Sequence, residues 1–155
     1  MRVVLQRVKW AEVRVEGEAV AGIGTGILLL AGFSSGVDRE FSSSRQWSKL
    51  VAKLPDLRIF PDSQGRSNLS LRDVEGEILA VPQFTLYADC RKGRRPSFVE
   101  AADPEIATGL FQDLVQELKE MCPGRVGQGS FGAEMELSLC NWGPFTLCLD
   151  SRDFQ

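Results

Sequence analysis

The sequence predicts an α/β fold: a single mixed, strand-rich domain over residues 1–155, with a barrel-like sheet packed against two main helices. Three observations lead there. The length of 155 residues is that of one domain, and no repeat, low-complexity tract or linker divides it. Stretches that alternate apolar with polar residues, or run apolar over strand lengths, recur along most of the chain. Only two segments repeat apolar residues at helical spacing.

Taken in order, Val3–Val8 reads as a strand, and Ala11–Val15 alternates as a half-buried strand does. Glu16-Gly17-Glu18 suits a hairpin turn. Ile27–Phe33 is apolar except for Gly32, the pattern of a strand buried on both faces. Asp38–Leu54 is expected to be helical. Phe41, Trp47, Leu50, Val51 and Leu54 fall roughly on one face, Asp38 can cap the start, and Pro55 ends it. Leu57–Phe60 is expected as a short strand and Pro61–Gly65 as a turn. Glu77–Val81 and Phe84–Ala88 read as extended, interrupted at Pro82. That proline has no N–H to give a ladder and so belongs at an edge or a bulge.

The second helix has the clearest signals. Asp103 is a good cap, Pro104 suits the first helical position, and Glu105 favours the positive helix end. Ile106, Leu110, Phe111, Leu114, Val115, Leu118 and Met121 then recur at helical spacing until Pro123-Gly124 stops them. Glu134–Cys140 alternates again, Asn141-Trp142-Gly143-Pro144 suits a hairpin turn, and Phe145–Leu149 forms the last strand.

Composition narrows the chemistry. The chain has no histidine, which excludes Ser-His-Asp and Cys-His catalysis, imidazole bases and His-containing zinc sites. Lys plus Arg is 18 against 21 Asp plus Glu, a formal charge of −3. A nucleic-acid partner would therefore be held by a local basic patch, not by the overall field. No two of Cys90, Cys122, Cys140 and Cys148 form a CxxC pair, so a thiolate zinc site is not expected. Cys140 and Cys148 read as small core residues. Met1–Trp10 carries Arg2, Arg7 and Lys9 and has no apolar stretch of signal-peptide type. The longest apolar run, Ile27–Ala31, is too short to span a bilayer. These features suggest a cytoplasmic protein with reduced thiols, no membrane contact, no metal and no cofactor.

Four local patterns stand out. Gly22-Ile23-Gly24-Thr25-Gly26 lacks the following helix of a dinucleotide loop and the Gly-Lys-Ser/Thr ending of a P-loop, so it reads as a flexible hairpin connection. Arg91-Lys92-Gly93-Arg94-Arg95 puts four cations in five residues; it is either a solvated loop or an anion site, since guanidinium forks suit phosphate. Pro82-Gln83-Phe84-Thr85-Leu86 sets an amide, an aromatic ring and a hydroxyl beside a proline, yet Thr85 has no histidine to activate it. Asn141-Trp142-Gly143-Pro144 is open to a simple turn reading.

Together these residues resemble the D-aminoacyl-tRNA deacylase family over nearly the whole chain. The resemblance runs through Gln6-Arg7-Val8, Val15-Glu16-Gly17, Ile23-Gly24-x-Gly26 and Arg58-Ile59-Phe60-x-Asp62-x-x-Gly65. It continues through Gly93-x-Arg95-Pro96-Ser97-Phe98 and Phe131-Gly132-Ala133-x-Met135. Two segments match the family's signatures: Pro82–Leu86 stands for SQFTL, and Asn141–Thr146 for NxGPxT.

The resemblance implies a homodimer with its active site at the subunit interface, acting on aminoacyl-tRNA. It implies hydrolysis of the ester joining a D-amino acid, or glycine, to the terminal ribose, with L-aminoacyl-tRNA refused. By the same analogy, Gln83, Phe84 and Thr85 form the catalytic segment, with backbone amides as an oxyanion hole and the ribose 2′-hydroxyl assisting. Thr85 takes a positioning role. Gly143 and Pro144, joined in the family by a cis bond, would screen chirality in the partner's pocket, and Arg7 would support their loop. Arg91, Lys92, Arg94 and Arg95 would reach the tRNA backbone. Pro82 replaces the family's serine. An animal branch with PQATL at this place has a trans Gly-Pro and admits small L-amino acids such as alanine, so an enlarged-pocket variant is one alternative. A non-catalytic tRNA-binding dimer is another.

Overall fold

The computed structural model describes residues 1–122 and 124–155. Its organising element is β1 (Arg2–Val15), one continuous strand where the sequence suggested two. The buried face of β1 changes midway. Met1, Val3 and Leu5 join one core, whereas Val8, Ala11 and Val13 join another on the opposite side of the sheet. The strand is therefore apolar on both faces but not at the same positions, which is why its pattern reads as two pieces.

The Glu16-Gly17 turn leads back into β2 (Glu18–Ile23), and β3 (Gly26–Gly32) follows. Both pair antiparallel with the same edge of β1 and in one register: Ala11 faces Ile23, and Val8 faces Gly26. The glycine-rich stretch is thus no hairpin connection; it interrupts a single long return strand. Its glycines answer a close approach. A Cβ on Gly26 would lie 1.9 Å from the Glu77 carbonyl oxygen, where the next strand begins.

That next strand, β6 (Glu77–Pro82), runs parallel to β3, and β7 (Val126–Gln128) runs parallel to β6. The short β4 (Phe60–Pro61) and β5 (Ser67–Leu69) form a separate ribbon, so the strand expected over Leu57–Phe60 shrinks to its last residue and the proline after it. The sheet curls until β7 meets β2. Gly127 sits beside Ala21 and Ile23, and the Arg125 guanidinium donates to the Gly22 carbonyl. The curl makes a nearly closed, barrel-like sheet.

Pro82 ends an interior strand instead of lying on an edge strand. Its neighbour Gln83 donates its N–H to Ala31 of β3 at 2.7 Å. By strand alternation the missing N–H of Pro82 faces β7, whose pairing stops at Ala80↔Gln128. The chain then turns. Phe84–Tyr87 is a 3-10 turn and not the extended segment expected over Phe84–Ala88. The Gln83 carbonyl packs close against Gly32, where a Cβ would come within 2.5 Å, so this turn needs glycine at that position.

The helical layer covers the larger core. The expected helix over Asp38–Leu54 is divided: a 3-10 turn over Arg39–Ser43 is capped by Asp38, and α1 (Arg45–Lys53) is capped by Ser44, which accepts from the Trp47 amide at 3.2 Å. The serine run supplies side-chain oxygens that compete with helical hydrogen bonding, so the helix restarts at the last of them. Pro55 lies within a further 3-10 turn. α2 (Pro104–Met121) begins as expected, with Asp103 accepting from the Glu105 amide at 2.9 Å, and buries Leu110, Phe111, Leu114 and Leu118. Pro123, expected to stop it, lies outside the described residues. No helix among the described residues is long and apolar enough to cross a membrane.

The last element is β8 (Glu136–Asp150), a 15-residue strand antiparallel to the other edge of β1. No hairpin occurs at Asn141–Pro144. As β1 advances from Gln6 to Val8, β8 goes back from Thr146 to Asn141, so the intervening residues bulge out of a strand that keeps its direction. Cys148 is exposed on this strand and is not a core residue; Cys140 is half-buried. All four cysteines are free thiols.

Candidate active site

A cavity of about 700 Å³ opens where β6 ends. Pro82, Gln83 and Phe84 form one wall, and the segment leading into α2, from Ala101 to Pro104, another. The segment Phe131–Ala133, with Met135 and Leu137, closes the third side. The lining is mainly apolar and of a size that suits a small organic group. Phe84 and Phe98 meet edge to face at 5.0 Å across its mouth and remain 54% and 39% exposed.

Apart from Asp103, whose carboxylate is taken up by the cap of α2, the polar groups here belong to the turn. Among the described residues, no acceptor within the chain meets the backbone amides of Phe84 and Thr85. They are the first two N–H groups of the 3-10 turn, which a short turn leaves without internal partners. Two adjacent free donors can stabilise an oxygen on which negative charge develops. The Gln83 side-chain amide donates to the Thr85 hydroxyl. Among the described residues no base bonds that hydroxyl, and Thr85 does not line the cavity.

Gly143 and Pro144 lie elsewhere. Both are exposed, neither lines the cavity of its own chain, and the bond between them is cis. Their bulge is held from within. Asn141 accepts from the Phe145 amide at 2.7 Å and donates to the Thr146 hydroxyl at 3.0 Å, which also accepts from Gln6 at 3.1 Å. Arg7 continues the Met1-Val3-Leu5 face of β1 and is 7% exposed. Its Nε donates to the Trp142 carbonyl at 2.7 Å and its Nη1 to the Ile59 carbonyl. Burial pushes its guanidinium below the usual arginine range, though not far enough to discharge it. Gly143 has φ of +145°, and a Cβ there would stand 2.9 Å from Arg7 Nη2.

A profile of the D-Tyr-tRNA(Tyr) deacylase family matches residues 4–150. The chain belongs to that family. A D-aminoacyl-tRNA deacylase of Solidesulfovibrio magneticus is 54% identical over 153 residues, which is 99% of this chain and 97% of that one. One of Nitratidesulfovibrio vulgaris is 56% identical over 153 residues, 99% and 94% of the two chains. Among solved structures, a c-Myc DNA unwinding element binding protein superimposes with a TM-score of 0.85 at 36% identity, covering 97% of this chain and 98% of that one. A probable eukaryotic D-amino acid tRNA deacylase superimposes with a TM-score of 0.79 at 21% identity, covering 96% and 97%; it shares the fold.

Within this family member the site residues read from the sequence fall into three groups. Gln83 and Phe84 line the cavity, with Thr85 beside them. Arg7, Gly143 and Pro144 form the bulge. The cations form a third group, on a loop closed by paired hydrogen bonds between Asp89 and Ser97. Arg91 is bound to Asp89 through two contacts of 2.8 and 2.7 Å and approaches Glu100 at 3.5 Å. This contact holds the Asp89 carboxyl down at about 2. Lys92, Arg94 and Arg95 are exposed and make no ion pair among the described residues.

Sequence reasoning assigned no place in the site to the far walls of the cavity: Ala101–Pro104 and Ala107, or Phe131–Ala133 and Met135. The Phe131-Gly132-Ala133-x-Met135 string was visible as part of the resemblance. Nothing in its residue types marked it as lining a cavity. The alanines carry no chemical signature at all.

Proposed function

We propose that this chain hydrolyses the ester linking a D-amino acid, or glycine, to the terminal ribose of tRNA, and leaves L-aminoacyl-tRNA intact. The family match over residues 4–150 carries the reading. The geometry supports a mechanism without a titrating side chain. Water adds to the acyl carbon, the bond to the ribose oxygen breaks, and that oxygen takes up a proton; the products are free amino acid and tRNA. The amides of Phe84 and Thr85 would receive the carbonyl oxygen as charge develops on it. The ribose 2′-hydroxyl would assist proton transfer. Gln83 and Phe84 shape the cavity, and Thr85 positions Gln83. An aminoacyl ester is already activated, so this modest assistance is enough.

Discrimination would come from Gly143 and Pro144 of a second copy. Two observations favour this arrangement. The bulge is exposed and absent from the cavity of its own chain, and the outer edge of β8 has no strand partner among the described residues. A homodimer joined there would bring each bulge to the other chain's cavity. A rigid main-chain wall close to the substrate Cα admits a hydrogen or a D side chain and clashes with an L side chain. Arg7 supports that wall. Lys92, Arg94 and Arg95 would meet tRNA phosphates, with Arg91 shaping their loop. The setting is the cytoplasm, where aminoacyl-tRNA is made and used.

Pro82 lines the cavity at the family's serine position, the one feature shared with the enlarged-pocket reading; the Gly143–Pro144 bond is cis, unlike the trans bond of that branch. One experiment separates the alternatives: release of amino acid from D-tyrosyl-, glycyl-, L-tyrosyl- and L-alanyl-tRNA. Fast release from the first two alone is expected. Clearance of L-alanyl-tRNA as well would favour the enlarged pocket. Background release from all four, with tRNA still retained by the protein, would leave a binding dimer and end the deacylase reading.

A further inference from the structure

The bulge that carries Gly143 and Pro144 is built around one cation, and two aromatic residues bracket the pair in sequence: Trp142 before Gly143, and Phe145 after Pro144. The Arg7 Cζ lies 5.0 Å from the Trp142 ring centroid and 4.9 Å from that of Phe145. Trp142 is backed in turn by Phe60, edge to face at 6.5 Å, and Lys9 Nζ lies 5.9 Å from its ring. The loop therefore touches the guanidinium through the Trp142 carbonyl and both rings, and leaves no room beside it for a Cβ at Gly143.

We propose that Trp142 and Phe145 are positioning residues for substrate discrimination: their π faces hold the Arg7 guanidinium and, through it, fix the direction in which Gly143 and Pro144 are presented. The proposal rests on the reading that this bulge screens substrates. Its physical basis is a count of freedoms. The hydrogen bonds to Trp142 and Ile59 fix where the guanidinium sits, and those of Asn141 close the bulge on itself, but none of them grips the guanidinium from both sides of the Gly143-Pro144 pair. A ring on each flank supplies that grip. A planar, weakly hydrated cation suits such faces, and cation–π attraction grows when the pair is shielded from water, as Arg7 is here.

Fluorinated tryptophans placed at position 142 test this. Each added fluorine weakens the π face while nearly keeping the shape, so folding is preserved. The rate ratio of D-tyrosyl- to L-tyrosyl-tRNA hydrolysis is measured across the series, beside Phe145→Leu and Phe145→Tyr. The ratio should fall stepwise with fluorination, by about twofold for the most fluorinated ring. Phe145→Leu should lower it and Phe145→Tyr restore it. In parallel, the Arg7 Hε resonance should move downfield in Phe145→Leu as ring-current shielding is lost. A flat fluorine series overturns the proposal, and so does an Arg7 resonance that stays in place. Failure of the unsubstituted chain to cleave D-tyrosyl-tRNA is a separate result, removing the deacylase reading and this discriminating role with it.

Discussion

Arg7→Ala is the most informative single substitution, because so much of the bulge converges on one side chain. The substitution removes two charge-assisted donations from a residue 7% exposed, one to the Trp142 carbonyl and one to the Ile59 carbonyl. A hydrogen bond involving a charged group is worth about 1.5–3 kcal/mol. Gly143 and Pro144 are exposed, so water can reach part of the vacated space, and the lower end applies: about 3 kcal/mol for the pair. Loss of both cation–π contacts adds about 1 kcal/mol. A total near 4 kcal/mol corresponds to a fall in Tm of roughly 10 °C for a domain of this length. Arg7→Lys keeps a charge but not the planar fork, and about half the loss is expected. Urea unfolding followed by circular dichroism measures both, at one fixed protein concentration because association shifts apparent stability. Arg7 keeps its charge at every accessible pH, so the loss should be the same at about pH 5 and pH 9. An Arg7→Ala protein within about 1 kcal/mol of the parent would refute the claim that this residue holds the bulge.

Other consequences are quicker to check. Asp103→Ala removes the α2 cap and should destabilise by about 1 kcal/mol, whereas Asp103→Asn should be nearly neutral; urea midpoints read both. The Asp89 carboxyl, held down at about 2 by Arg91, should keep the basic loop braced at all pH values above the ordinary carboxylate range. That brace is then lost only as pH falls through about 2, and a carbon NMR titration of Asp89 showing an ordinary midpoint would contradict it. Removing the charges of Arg94 and Arg95 should flatten the salt dependence of tRNA binding by roughly 0.7–0.9 in log–log slope per lost phosphate contact, with unchanged far-UV circular dichroism. A slope identical to that of the parent would move the RNA contact elsewhere.

What the sequence made legible follows from how local each signal is. α2 was readable to its first residue because Asp103, Pro104 and the apolar stripe are neighbours in the chain and agree with one another. The family signatures were readable for a similar reason. The division of the first helix is local, at its serine run, but the departures at the strands have one common cause, long-range pairing. Gly22–Gly26 and Asn141–Pro144 both contain the residues that turns favour, and both were read as places where the chain reverses. In the structure β1 lies alongside each of them and keeps the strand direction through the break. Glycine at 26 answers the backbone of Glu77, 51 positions later, and glycine at 143 answers Arg7. No window of local residues contains those partners. The same holds for the 3-10 turn at Phe84, whose preceding carbonyl needs the missing Cβ of Gly32.

That correction at β8 also bears on function. Were Asn141–Pro144 a hairpin, its tip would move with two short strands and could lean as they do. As a bulge in one continuous strand it is tied on both sides to β1, from Val8↔Asn141 onward in one direction and from Gln6↔Thr146 in the other. The same strand lines the cavity further back, at Leu137, which pairs with Val13. One rigid element thus sets both the wall of its own cavity and the outward reach of Gly143 and Pro144. In a two-fold dimer the offset between those two features along β8 would determine where a neighbour's bulge enters a cavity. Discrimination would then depend on strand register, which changes only in whole-residue steps, and not on the conformation of a mobile loop. A residue deleted between Leu137 and Asn141 should therefore abolish D-tyrosyl-tRNA hydrolysis even if the chain folds. An equal deletion in the exposed loop between Arg91 and Arg95 should weaken tRNA binding and leave the D-to-L ratio as it was.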